Sequence, residues 1–367
     1  MSAVDAAAYI WPSYTGREPR TRIFWPEGIG EWETVREAKA KFPGHLWPRK
    51  PLRGYEEEAD PGVMEGQIDL AADHGVGVFC YDWYWYDGRP FLSQCLEEGF
   101  LQARNRNRMK FYLMWANHDA NYLWDRRNSD VCHDTVIWRG TVHPDDFARI
   151  GELWIGRYFS QPNYYTVQGK PLIAVYDVRN LCASFGSAAA ARDAMEALDR
   201  AAKKAGLPGV HFQLIYWNER ATRLKDADGR ESGEAVFELP FSSATHYQFV
   251  HFTDVDRTYE EVIPDVLREW DALSERLPVP YDPHVSIGWD NNARFRSLKG
   301  NILRENTPEA VEKMLRHAKE WAEAHACPLV TVNSWNEWTE GSYLLPDDLR
   351  GYGYLDAVKR VFGSQDK

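Results

Sequence analysis

The sequence contains no C-x-x-C pair, no phosphate loop of the form G-x-x-x-x-G-K and no G-x-S-x-G nucleophile elbow. No apolar run approaches the roughly 20 residues that a membrane helix needs. Each absence removes a class of function. Five cysteines (Cys80, Cys95, Cys132, Cys182, Cys327) are odd in number and scattered, which fits reduced, mostly buried thiols in a cytosol-like compartment better than a disulfide frame or a zinc site. Positive charge is short as well: 43 Lys and Arg against 55 Asp and Glu leave a net charge of −12. A phosphate backbone recruits the opposite balance through counterion release, so nucleic acid is not an expected partner. The N-terminus "MSAVDAAAYIWPSYTGREP" has neither a basic n-region nor a continuous h-region. A soluble, cytoplasmic protein with no membrane partner is therefore expected, unless a leader has been removed. Repeats, low-complexity tracts and Pro/Gly/Ser-rich linkers are also missing, so one domain over 1–367 is the expectation, and nothing calls for a cofactor.

Aromatic residues are abundant. The 16 Trp, 19 Tyr and 16 Phe make up 14% of the 367 residues, and many fall beside polar residues in expected loops. Such a surplus suits a ligand with flat apolar faces and polar edges, since a ring offers broad contact and Tyr and Trp add a hydrogen-bonding tip. Sugars fit that description.

Short β-branched or aromatic runs predict strands at Ala8 to Trp11, Val76 to Tyr81, Lys110 to Trp115, Pro171 to Tyr176, Val210 to Tyr216, Ser243 to Phe249, His284 to Trp289 and Pro328 to Ser334. Helical periodicity predicts helices at Pro61 to Asp73, Ser93 to Asn105, Pro144 to Phe159, Ser187 to Lys204, Glu260 to Leu277 and Pro308 to His325. Asp60-Pro61 and Thr307-Pro308 read as N-cap and first-turn proline, with Gly75 and Gly206 as stops. Alternation in these numbers predicts an α/β fold of the (β/α)8 TIM-barrel type. Its first and sixth strands are the weakest. Long insertions at 13–58, 117–143 and 218–241 follow strands and would rise on the C-terminal face, where barrel sites are built. The tail 363–367 should fray.

Polar residues cluster just after these strands: Asp82 after the second, Asn117, His118 and Asp119 after the third, Asp177 after the fourth. Trp217, Asn218 and Glu219 follow the fifth, His251 the sixth, and Asp290 the seventh. A ring of such strand ends describes a polar pocket with aromatic walls. After the eighth comes "NSWNEWTEG" (333–341). Glu337 and Glu340 stand three apart, and on a continuing strand they would point to opposite faces. A turn after Asn336, as Gly341 hints, would let them converge. Paired carboxylates cleave glycosidic bonds. The same spacing occurs on solvated helix faces, but the flanking tryptophans and the place after an apolar strand favour a site. "NHD" (117–119) and "CHD" (132–134) read as hydrogen-bonded loop pairs rather than metal sites, and His246, His251 and Glu219 match no standard zinc spacing. "WYWYDG" (83–88) is equally compatible with core and with a sugar-stacking wall.

The stretches "GIGEWETVREAKAKFPGH" (28–45), "DPGVMEGQIDLAADHGVGVFCYDWYWYDGRPFL" (60–92), "FYLMWANHD" (111–119), "NYYTVQGKPLIAVYD" (163–177), "VSIGWDNNAR" (285–294) and "VNSWNEWTEGSYLLPD" (332–347) together resemble the WbsX-like proteins, whose domain is related to glycoside hydrolase family 99. That resemblance implies a (β/α) barrel that cleaves α-mannosidic linkages with retention, using an E-W-x-E segment matched here by Glu337-Trp338-Thr339-Glu340. It further implies that Glu337 acts as base on the sugar 2-hydroxyl, giving a 1,2-anhydro sugar, and that Glu340 acts as general acid and then base. An axial 2-hydroxyl opposite an axial leaving group suits α-mannosides and α-rhamnosides. The acid needs a raised pKa, which an apolar wall such as Trp335 or Trp338 would supply. Candidate substrate contacts are Tyr9, Trp32, Asp82, Trp83, Trp85, Trp115, Asn117, His118, Asp119, Trp217, Glu219, His246, Tyr247, Trp289, Asp290, Trp335, Asn336 and Trp338. One departure stands out: many WbsX-like sequences follow "WAN" with Glu, where this chain has His118. The expected partner is an oligosaccharide or polysaccharide. A hydrolase is favoured over a biosynthetic glycosyltransferase, for which no nucleotide-sugar loop is visible, and over a silent carbohydrate binder.

Overall fold

The computed structural model describes residues 4–225 and 231–363. Eight parallel strands follow one another in chain order: β1 (Asp5–Ile10), β2 (Val76–Tyr86), β3 (Lys110–Trp115), β4 (Lys170–Val175), β5 (His211–Ile215), β6 (Ser243–Thr245), β7 (His284–Ser286) and β8 (Leu329–Asn333). β8 pairs back onto β1. Between β6 and β7 the seam is narrow, with Ala244 N donating to Pro280 O at 2.9 Å and Asp282 N to Ala244 O at 2.7 Å. The fold is the (β/α)8 barrel expected from the alternation.

Strand ends differ from the sequence reading. β1 starts at Asp5 because the small residues Ala6 to Ala8 pair in the sheet with little hydrophobic signal of their own. β6 and β7 stop at Thr245 and Ser286, where the chain lifts off the barrel toward short helical turns at Phe249–His251 and Asn291–Arg294.

The outer helices are α1 (Pro61–Asp73), α2 (Pro144–Leu153), α3 (Ala188–Lys204), α4 (Tyr259–Arg276), α5 (Pro308–Ala324) and α6 (Gly353–Phe362). Their starts follow local chemistry: Asp60 accepts from Gly62 N and Val63 N, Thr307 from Ala310 N, and Thr258 with Glu261 forms a capping box. α6 lacks such a signal, having no side-chain cap at its start. The helix expected over 93–105 is instead a wide turn at Cys95–Gly99 followed by a tight one at Phe100–Gln102. Gly99 stands at their junction, where a Cβ would lie 2.4 Å from Glu58 O.

Alternation sorts each strand. Facing the axis, Thr245 meets Thr331 at 2.8 Å, His284 bonds Thr331 and Ser286, and Gln213 donates to Asp282 at 2.8 Å. Opposite parity sends Phe79 and Phe111 outward against Phe100. All five cysteines are free, with Cys80, Cys95 and Cys327 buried. Among the described residues no helix is long and apolar enough to cross a membrane. Of the expected frayed tail, 363–367, residues 364–367 lie outside the described residues, as does the middle of the third insertion, 226–230.

Candidate active site

After β8 the chain folds into a small hairpin in which Asn336–Glu337 pairs with Ser342–Tyr343. A tight turn at Trp338–Glu340 ends on Gly341, whose φ of 63° is a left-handed conformation that suits glycine. The hairpin is pinned from behind. Asn336 accepts from Trp11 N at 2.8 Å and donates to Trp11 O and Glu58, Trp335 donates to Gln67, and Trp338 N donates to Tyr14 Oη. Ser334 Oγ accepts from Glu337 N at 2.7 Å. Within a turn rather than a strand, positions three apart share a side, and Glu337 and Glu340 both face one cavity.

They converge on a single cation. Arg294 Nη2 donates to Glu337 at 3.2 Å, Nη1 to Glu340 at 2.6 Å, and Nε to Glu31 at 3.1 Å. Sharing one guanidinium keeps the nearest oxygens of the two carboxylates within about 8 Å of each other, so both can reach one sugar. Arg294 is positioned by the turn that Asp290 caps; Asp290 in turn is held by His45 at 2.7 Å and Trp47 at 2.6 Å. Glu31 is held by Thr339, Ser13 and Trp11.

Their environments separate the two glutamates. Burial is the main effect on both. For Glu337 burial raises the pKa, and the Arg294 charge and a hydrogen bond from Tyr247 oppose it without cancelling it. For Glu340 the next effect is the charge of Glu337, which adds to burial, and the pKa lies well above the ordinary 4.5. The arrangement therefore favours a proton on Glu340 and a charge on Glu337. Neither Trp335 nor Trp338 lines the cavity.

The cavity holds about 410 Å³ at the C-terminal mouth of the barrel. From the sequence candidates it gathers Asp82, His118, Asp119, Asp177, Trp217, Tyr247, Glu337 and Glu340. Trp217 lies flat on His251 with ring centroids 4.1 Å apart. Other candidates lie elsewhere. Trp83, Trp85 and Trp115 have the outward parity: Trp83 and Trp115 pack on Trp154 at 5.3 and 5.8 Å, and Trp85 stacks on Trp83. Trp32 donates to Glu56 O and packs with Trp338 behind the hairpin. Tyr9 sits beneath the floor, donating to His246 O, with its ring 4.8 Å from that of Tyr247. His246 is bonded to Tyr281. Asn117 ties the backbone of Asp177 in both directions. Asn336 and Asp290 likewise act as braces, and Trp289 packs half-buried against the core. Glu219 is exposed and paired with Arg223, which separates it from His246 and removes that zinc combination. Among the described residues no group of three or more His, Cys, Asp or Glu is placed to hold a metal ion.

Sequence reasoning missed Arg294, Trp11, Tyr84, Trp124, Tyr176 and Asn180 as lining residues. Trp11 and Tyr84 share strand parity with Tyr9 and Asp82, and that alternation could have found them. Arg294 and Glu31 are 263 positions apart, a pairing with no local signature.

A sequence model of the family described as "Glycosyltransferase WbsX" matches residues 7–358. The uncharacterized protein WxcX of Xanthomonas campestris pv. campestris, strain ATCC 33913, is 30% identical over 357 residues, covering 94% of this chain and 47% of that protein. WxcX of strain B100 gives the same figures. The chain thus spans about half the length of the curated relatives it matches. Among solved structures, a GH99 endo-alpha-mannosidase from Bacteroides thetaiotaomicron superposes with a TM-score of 0.59 at 14% identity, over 98% of this chain and 97% of that one. A glycoside hydrolase-like protein superposes with a TM-score of 0.63 at 14% identity, over 99% and 95%. At these identities the likeness is one of fold: a glycoside hydrolase-type barrel.

Proposed function

Because the chain belongs to the WbsX family, carried here on a glycoside hydrolase-type barrel, we propose that it is a retaining glycosidase acting on α-linked, mannose- or rhamnose-configured glycans. The observation that carries this reading is the pair Glu337 and Glu340, gathered on Arg294 at a cavity wall in environments that favour a base and an acid respectively.

In the first step Glu337 takes the proton of the sugar 2-hydroxyl while O2 bonds to C1. The bond from C1 to the leaving oxygen breaks, and that oxygen takes the proton of Glu340. O2 must approach opposite the departing bond, which an axial 2-hydroxyl and an axial leaving group provide. In the second step Glu340, now ionised, takes a proton from water as the water oxygen bonds to C1. The C1–O2 bond opens, and O2 recovers its proton from Glu337. Two inversions at C1 leave the anomer retained. Trp217, Trp11 and Trp124 supply aromatic faces for the sugar ring, and Asp119, Asp177 and Asn180 supply polar edges.

The family description favours a second reading, transfer of a sugar to an acceptor. Purified protein incubated with defined α-mannosides and α-rhamnosides, without any nucleotide-sugar donor, separates the two. Release of free sugar is the expected result. Turnover only with an added donor would establish the transferase, and affinity without turnover a binder.

A further inference from the structure

Tyr247 has one hydroxyl proton and two carboxyl neighbours. Its oxygen lies 2.9 Å from Glu337 Oε2 and 3.1 Å from Asp82 Oδ2. One O–H can be given to only one of them. At the other contact the phenol oxygen must accept, so that carboxyl has to carry a hydrogen. From this we infer that Asp82 is a neutral carboxylic acid in the working enzyme, donating to Tyr247, whose own proton is thereby directed onto Glu337. This rests on Glu337 acting as the base in the reaction proposed above.

The surroundings decide which carboxyl is protonated. Glu337 has Arg294 at 3.2 Å, while Asp82 has no ion-pair partner among the described residues. Asp82 is 4% exposed, and its Oδ1 is buried with no hydrogen-bond partner. An ionised carboxylate with one bare oxygen and a second competing for a shared proton would be poorly stabilised, whereas a neutral acid leaves only a carbonyl oxygen bare. The groups acting on Asp82 are Glu337, Tyr247 and Glu340: burial and then the Glu337 charge push its pKa up, Glu340 adds to this only when ionised, and the Tyr247 bond alone opposes them. With the phenol proton fixed on Glu337, the base keeps its charge beside a second carboxyl group. Asp82 is thus a positioning residue that acts through Tyr247.

Carboxyl 13C NMR of the full chain, labelled at Asp and Glu side chains and without substrate, tests this independently of whether any glycan is cleaved. Asp82→Asn, Glu337→Gln and Tyr247→Phe assign the signals. Asp82 should show the protonated shift at pH 7 and titrate above it. In Asp82→Asn, where the amide N–H donates as the acid did, the Glu337 titration should move by less than about 0.3 pH units, while Tyr247→Phe should raise it. An ionised Asp82 at pH 7, or a fall of about one pH unit in the Glu337 titration on Asp82→Asn, would overturn the inference. The second result would mean that a negative charge had been removed.

Discussion

Replacing Arg294 with Met removes the cation that Glu31, Glu337 and Glu340 share, while roughly keeping the volume of the stem. The guanidinium and its three partners are all buried, with side-chain exposures of 4% for Arg294 and 0, 5 and 11% for the glutamates. Breaking a buried ion pair by deleting one partner costs about 3–5 kcal/mol, because the remaining charge is left uncompensated. The carboxylates can escape part of that cost by binding protons. Arg294 lowers the pKa of both Glu337 and Glu340 against the effect of burial, so its loss raises them further above the ordinary 4.5. The folded variant then binds more protons than the unfolded chain between that value and the raised ones, and stability falls as pH rises through this window. At pH 8 the loss should be the larger, a drop in Tm of about 6–10 °C at about 2 °C per kcal/mol for a chain of this size. Near pH 5 the drop should be smaller. Thermal unfolding of both proteins at the two pH values, followed by circular dichroism, makes the measurement. An equal drop at both would place the effect in packing, and no drop at either would refute the ion-pair reasoning.

Glu340→Gln should abolish turnover of natural glycosides, general acid catalysis being worth about 10²–10⁴-fold, yet be partly rescued by substrates whose leaving groups need no proton. Equal loss on both, in initial-rate assays, would remove the acid role. Gly341→Ala forces φ near +63° on an L-residue and puts its Cβ 3.1 Å from Arg49 Nη1. It should cost about 1–2 kcal/mol in denaturant unfolding and lower kcat by displacing the glutamate turn; unchanged kcat and stability would show that the turn tolerates the strain. Glu219→Ala should leave Tm and turnover at wild-type values, since Glu219 is exposed on Arg223, and a large fall in kcat/KM would return it to the site.

The barrel was legible because its signals are local. Alternating strands, Asp60-Pro61, Thr307-Pro308 and Gly75 each act within a few residues, and chain order alone sets the strand order of a (β/α)8 barrel. The site was legible only to the depth of one motif. Trp83 and Trp85 stand on the opposite face of β2 from Asp82, and the alternation that separates them is visible within the four residues 82–85. Asn336 and Asp290 follow strands, as site residues do, but spend their hydrogen bonds on the backbone of Trp11, on Glu58, and on His45 and Trp47. Arg294 could not be chosen in advance, because its role depends on bringing Glu31, from an insertion after β1, to a turn after β7.

The configuration of the first product tests the central claim most directly. A defined α-mannoside or α-rhamnoside, incubated with the protein and followed by 1H NMR before mutarotation, should give the α-anomer first, as two inversions at C1 require. Initial appearance of the β-anomer would contradict participation of the 2-hydroxyl and the roles assigned to Glu337 and Glu340.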